Sequence, residues 1–184
     1  MSGKVGHISG PASPFIVTAE MPPDVFAWAN ALRQTHFPSE RNICSAHVTL
    51  FHALPPSLEG ELRDLLQRLA AEHAPPPARV SGLINLGGGT AIKLTSEGMT
   101  ALRQRIADHF HGALTAQDRH KPRLHITIQN KVTREAAQQL QTELGPQVKQ
   151  RNFAFTGLAL HIYRGGPWQA VGAWRFRGRA SAVV

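Results

Sequence analysis

Two segments far apart in this chain repeat one another: His47-Val48-Thr49-Leu50 and His125-Ile126-Thr127-Ile128. Each lies in a stretch of extended character, and each is followed after a short loop by a segment patterned as a capped helix. The recurrence therefore covers a strand, a loop and a helix, as an internal duplication would leave it. Composition alone would produce the four-residue pattern about 0.1 times in a chain of this kind, so two copies in matching context call for a cause.

Side chains alternate across a strand, so His47 and Thr49 share one face while Val48 and Leu50 take the other. The same holds for His125 and Thr127 against Leu124, Ile126 and Ile128. Each repeated strand is expected to pack its apolar face on helices and to offer an imidazole beside a hydroxyl on the opposite face. Burying those polar groups without partners would cost about 1–3 kcal/mol each, so that face should be wet or ligand-facing. Two such faces can make a cleft.

The remaining pattern supplies the elements around them. Phe15 to Ala19 reads as a strand, and Pro22-Pro23 opens a helix with Val25, Ala29 and Leu32 on one face. Ile43 to His52 reads as a strand closed by Pro55-Pro56, and Ser57 can cap a helix carrying Leu58, Leu62, Leu65, Leu66 and Leu69. Arg79 to Leu94 suggests a hairpin around Gly87-Gly88-Gly89, which lacks the lysine and hydroxyl of a P-loop and is read as a turn. Thr95 or Ser96 starts a helix with Met99, Leu102, Ile106 and Phe110 on its buried side. Arg123 to Gln129 reads as a strand, Thr133 caps a helix ended by Gly145-Pro146, and Phe153 to Tyr163 and Val171 to Phe176 are extended. Helices interleaved with strands joined by short turns imply an α+β chain with antiparallel sheet. A leader of about residues 1–13 and a tail of about 180–184 carry no apolar period.

Composition bounds the rest. The 184 residues hold 20 Lys+Arg against 12 Asp+Glu, a formal charge of +8, with 42% hydrophobic and 17% charged residues. That suits one folded domain, or two intimately packed lobes, rather than a disordered chain, and the charge favours an anionic partner. No window approaches the roughly 18 apolar residues of a membrane span, and the start lacks a secretory pattern, so a cytoplasmic protein without a membrane partner is expected. The single Cys44 excludes an internal disulfide and any multi-cysteine metal site.

Two histidines with neighbouring hydroxyls suit reactions at phosphorus. Near neutral pH, imidazole can serve as neutral base and as protonated acid, one taking a proton from the nucleophile and the other protonating the leaving oxygen. The threonine hydroxyls can donate to non-bridging phosphate oxygens as charge builds. The design requires no metal and no cofactor, although two strand histidines could also ligate a metal.

With HVTL at 47–50 and HITI at 125–128, the chain resembles the 2H phosphoesterase superfamily, which includes the 2′-5′ RNA ligase-like proteins and the RNA 2′,3′-cyclic phosphodiesterases. HVTLFHALP, HITIQNKV and HIYRGGPW look like one bacterial branch. The resemblance, from the Phe15 strand to the Phe176 strand, implies a bilobal fold: two antiparallel sheets with outer helices, related by a pseudo-twofold axis around a central cleft. It implies His47, Thr49, His125 and Thr127 as catalytic, with His125 as base and His47 as acid. It also implies a monomer acting without metal as a cyclic phosphodiesterase on RNA 2′,3′-cyclic phosphate ends or small cyclic nucleotides. The alternatives are a 2′-5′ RNA ligase or 2′-5′ phosphodiesterase on the same site, and an RNA- or nucleotide-binding module without chemistry.

Many relatives carry arginine where this chain has Asn130, with Lys131 one position later. Arg123, two residues before His125, should share the cleft face and offers a substitute, the other reading being a solvated arginine. By the same count Phe51 is expected on the cleft face, and Tyr163 or Trp168 could stack a base, core packing being the alternative for all three. His52 is expected to point toward the packed face, His109 and His111 to lie on the surface, and no histidine beyond His47 and His125 is assigned a role.

Overall fold

The computed structural model describes residues 13–179. The expected tail and all but Ser13 of the expected leader lie outside them. Strands β1 (Phe15–Glu20), β2 (Val48–Leu54), β7 (Gly157–Ile162) and β8 (Gln169–Arg175) form one sheet, in the order β2-β1-β7-β8. Strands β5 (His125–Asn130), β4 (Gly89–Thr95), β3 (Pro77–Asn85) and β6 (Arg151–Ala154) form the other, in the order β5-β4-β3-β6. All neighbouring strands are antiparallel. The two repeated motifs thus occupy equivalent places, each on an edge strand beside a central one. With its helices, this is the α+β fold expected from the resemblance.

Among the described residues five helices interleave with the strands: α1 (Pro23–His36), α2 (Glu59–Glu72), α3 (Glu97–His109), α4 (Ala116–Arg119) and α5 (Arg134–Leu144). Ser96 and Thr133 cap α3 and α5, their hydroxyls accepting from the amides of Met99 and Ala136. Ser57 does not cap α2. Pro55 and Pro56 lead into a short 3₁₀ turn that contains it, and α2 begins at Glu59, with Glu59 and Glu61 complementing the positive end of the helix. The segment from Phe153 to Tyr163 is two strands in different sheets. It crosses at Phe155 and Thr156, whose amides donate to the carbonyls of Pro76 and Glu20 at 3.0 and 2.8 Å. Gly87, at φ 84, makes the β3–β4 turn, in which the Leu86 amide donates to Gly89.

The core is continuous beneath both sheets, from Val17 and Leu66 to Ile92 and Ile126, all at or near zero exposure. α2 packs on β7 and β8, and α5 on β3 and β4. α1, which leaves the first sheet, packs against β5 of the second. Its buried face is Val25, Ala29 and Arg33, with Leu32 only half-buried. No helix among the described residues is long and apolar enough to cross a membrane.

Candidate active site

His47 lies immediately before β2 and His125 begins β5. Each ring is oriented by its own chain: His47 Nδ1 is 2.7 Å from the Ser45 carbonyl, and His125 Nδ1 is 2.6 Å from that of Arg123. A carbonyl only accepts, so in both rings Nδ1 carries hydrogen and Nε2 is the nitrogen left for a ligand. Two residues on, Thr49 and Thr127 are half-buried on the same faces, while Val48 and Ile126 are fully buried beneath them.

The alternation expected from the sequence then breaks, at the same place in both strands. Thr18 pairs with Thr49 but Val17 pairs with Phe51, and Ala91 pairs with Thr127 but Thr90 pairs with Gln129. Leu50 and Ile128 are therefore bulge residues, each without a partner in the adjacent strand. The extra residue turns the following side chain inward, which corrects two expectations. Phe51 is fully buried with the Arg103 guanidinium over its ring at 4.5 Å, so it does not line the cleft. His52 points outward, not into the packed face, with Nδ1 3.0 Å from Asp118.

An arginine stands near each bulge. Arg33 of α1 is 5% exposed and donates to the Thr127 carbonyl at 2.7 Å, to the Cys44 carbonyl at 2.9 Å and to Asn42 Oδ1 at 2.8 Å. Arg103 of α3 donates to the Leu50 carbonyl at 3.4 Å and to that of Asp118. Each helix follows a strand of one sheet and holds the motif strand of the other, so the two His-x-Thr faces are tied in mutual register. Neither arginine was legible as functional from its own sequence. The signal was helical spacing, since Arg33 falls four residues after Ala29 and Arg103 four after Met99.

A cavity of about 450 Å³ opens beside His47, lined by Thr18, Glu20, Phe26, Ile43, His161 and Trp168 among others. Trp168 lies on the β7–β8 loop, where Gly165 takes φ 84, and its ring stands 4.4 Å from that of His47 and 5.7 Å from that of His161. His161 is a third histidine at this site, a correction to the reading that only two have a place there. It projects from β7, and its Nε2 is 3.0 Å from Thr18 Oγ1. In the sheet one strand, β1, lies between β7 and β2, but along the chain four strands separate them, so no local pattern places His161 near the motif.

Burial lowers the proton affinity of both rings. His47 falls to about 4, chiefly through desolvation, with the charges of Arg33, His161 and His125 adding to the fall and the Ser45 carbonyl opposing it. His161 falls through desolvation. Both are neutral near pH 7.

The surroundings of His125 differ in character. Lys93 is the registered partner of His125 across β4 and β5. The corresponding place beside His47, one step beyond the Ala19–Val48 pair, is held by Glu20. Lys93, Lys121 and Arg123 line a broader, open cavity of about 1060 Å³ together with Glu97, Thr100 and Gln104 of α3, and neither His125 nor Thr127 is among its lining residues. Arg123 is exposed, and its carbonyl orients His125. Lys131 is exposed in the turn after β5, at φ 62, with its amide donating to Asn130 Oδ1. Tyr163, 41% exposed at the end of β7, is not among the residues lining the cavity beside His47. No group of three or more His, Cys, Asp or Glu side chains suited to a metal ion occurs among the described residues.

A family profile described as the 2′-5′ RNA ligase superfamily matches residues 21–167. The crystal structure of TT0787 of Thermus thermophilus is similar with a TM-score of 0.62 at 17% identity, over 91% of this chain and 100% of that one. E. coli LigT complexed with 3′-AMP gives 0.61 at 14% identity, over 90% and 99% of the two chains. The same protein complexed with NADP+ gives 0.58 at 15%, again over 90% and 99%. No curated protein sequence matches the chain significantly.

Proposed function

The chain belongs to the 2′-5′ RNA ligase superfamily, and on that premise we propose that it hydrolyses 2′,3′-cyclic phosphodiesters, at RNA ends or on nucleotides, by acid–base catalysis between two histidines. The observation that carries this reading is the matched anchoring of His47 and His125. Each Nδ1 is committed to the carbonyl two residues back, so each ring offers the cleft one nitrogen.

The chemistry needs one neutral and one protonated imidazole. Desolvation keeps His47 neutral at pH 7, which fits it as the base, with His125 as the acid. This is the reverse of the assignment implied by family resemblance. His47 Nε2 accepts a proton from water, the water oxygen bonds to phosphorus, the bond from phosphorus to one ribose oxygen breaks, and His125 delivers a proton to that oxygen. The hydroxyls of Thr49 and Thr127 donate to the non-bridging oxygens, where charge accumulates. Arg123 and Lys131 are candidate contacts to phosphate, and Trp168 and Tyr163 are candidate contacts to a base. Arg33 acts through the backbone, as a positioning residue.

The test is incubation with the four nucleoside 2′,3′-cyclic monophosphates and a cyclic-phosphate-ended oligonucleotide, with and without chelator. Ring opening to a 2′- or 3′-monophosphate, insensitive to chelator, is the expected result. No turnover of any of these substrates would overturn the reading.

A further inference from the structure

The cavity beside His47 combines features that folding alone does not explain. Among the described residues the large apolar side chains left exposed are Phe26, Ile43 and Tyr163. Two of these, Phe26 at 39% and Ile43 at 54%, line this one cavity. Exposed apolar surface gathered at a concave site marks a place for a ligand. Trp168 completes an apolar enclosure, its ring already against His47.

Within that enclosure stands one carboxylate, Glu20, in a chain whose net charge is +8. Its one side-chain partner is the Thr18 hydroxyl, which donates to Oε1 at a long 3.4 Å. Thr18 in turn accepts from His161, whose Nε2 then carries the hydrogen, so a short polar relay ends at the carboxylate. No lysine or arginine forms an ion pair with Glu20 among the described residues. A carboxylate repels phosphate, and the matching position beside His125 is held by Lys93 instead. Phosphate oxygens are therefore favoured on the Lys93 side and an uncharged hydrogen-bond donor on the Glu20 side.

We propose that the cavity beside His47 is a nucleobase subsite in which Glu20 selects bases carrying an exocyclic amino group over uracil. The subsite rests on the phosphodiesterase reading in so far as its ligand is a nucleotide. An ionised carboxylate only accepts hydrogen bonds, so it pairs with the amino groups of cytosine, adenine or guanine. Uracil has no amino group, and its imide N–H is flanked by two carbonyls that the carboxylate repels. Phe26, Ile43 and Trp168 supply contact area without regard to base identity, which leaves discrimination to the polar wall.

Cytidine and uridine make the cleanest comparison, being alike in size and differing mainly at one edge. In calorimetric titration of the full chain with their 2′- and 3′-monophosphates, cytidine should bind about tenfold tighter, the scale of one charge-assisted hydrogen bond. Glu20→Gln, whose amide both donates and accepts, should bring the two within about twofold. Glu20→Ala should weaken cytidine and, by removing the repulsion of the uracil carbonyls, erase the difference between the two, and thermal melting of both variants verifies that they fold. Equal affinities in the unaltered protein, no measurable binding of either nucleotide, or an unchanged ratio in both variants would each overturn the subsite. Binding preference without turnover of any cyclic phosphate would remove the phosphodiesterase reading and leave the subsite standing. Turnover with no base preference would do the opposite.

Discussion

Arg33 donates a 2.7 Å hydrogen bond to the Thr127 carbonyl from a helix that belongs, by chain order, with the other motif. Because the same guanidinium also takes the Cys44 carbonyl, three residues before His47, one side chain fixes both motif strands at once. Replacing Arg33 by Met should cost about 2–4 kcal/mol in denaturant unfolding, since buried acceptors lose a charged donor. Turnover should fall further than stability explains, because the two imidazoles lose their mutual placement. Full activity in a folded Arg33→Met protein would show that the tie is structural only.

His47→Ala and His125→Ala should each lower kcat by about 10² or more, the usual contribution of a positioned acid or base. The double variant should be little worse than the poorer single one, because the residues act as a pair. Independent, multiplying losses would argue for separate roles.

The depressed proton affinity of His47 makes a directional prediction for activity. As a base it must be neutral, so the acid limb of the kcat/KM profile should lie near pH 4 rather than near 6.5. Were His47 the acid instead, activity would already be declining above pH 4.

Stability should follow the same group. The folded protein holds His47 at about 4 while the unfolded chain titrates near the ordinary histidine value of 6.5, so between those values the unfolded state binds more protons. Stability from this site is therefore full above about pH 6.5 and lost as pH falls toward 4, by up to about 3 kcal/mol for a shift of this size. Unfolding curves of the unaltered protein and His47→Asn at pH 7 and pH 4.5 check this, the variant being the less pH-sensitive of the two.

Asp118 is 1% exposed and accepts from the amides of His52 and Ala53 at 3.0–3.1 Å and from His52 Nδ1. Burial raises its pKa, but these donors outweigh burial and hold the carboxyl below its ordinary value. Its stabilisation is thus present above the ordinary carboxylate pKa and lost as pH falls through the depressed one. Asp118→Ala should cost about 2–4 kcal/mol by leaving buried amides unpaired, measured by thermal or denaturant unfolding at neutral pH.

The sequence disclosed the α+β class, the strands carrying both motifs and the facing of His47, Thr49, His125 and Thr127, because alternation is local. It misplaced Phe51 and His52 because a bulge at Leu50 adds one residue to the count, and nothing in Leu50 itself announces it. His161 and Glu20 were hidden for another reason. Their closeness to His47 arises from pairing between strands that sequence separates widely, and no short pattern records that pairing.

The paired bulges also limit how far each His-x-Thr face extends. In a regular strand the next outward residues after Thr49 and Thr127 would be Phe51 and Gln129, projecting across the cleft from both sides. Both are turned into the interior instead, at 0% and 8% exposure. Each motif strand thus contributes a wall only two side chains long. Neither Phe51 nor Gln129 therefore stands in the way of a ligand that approaches Thr49 or Thr127.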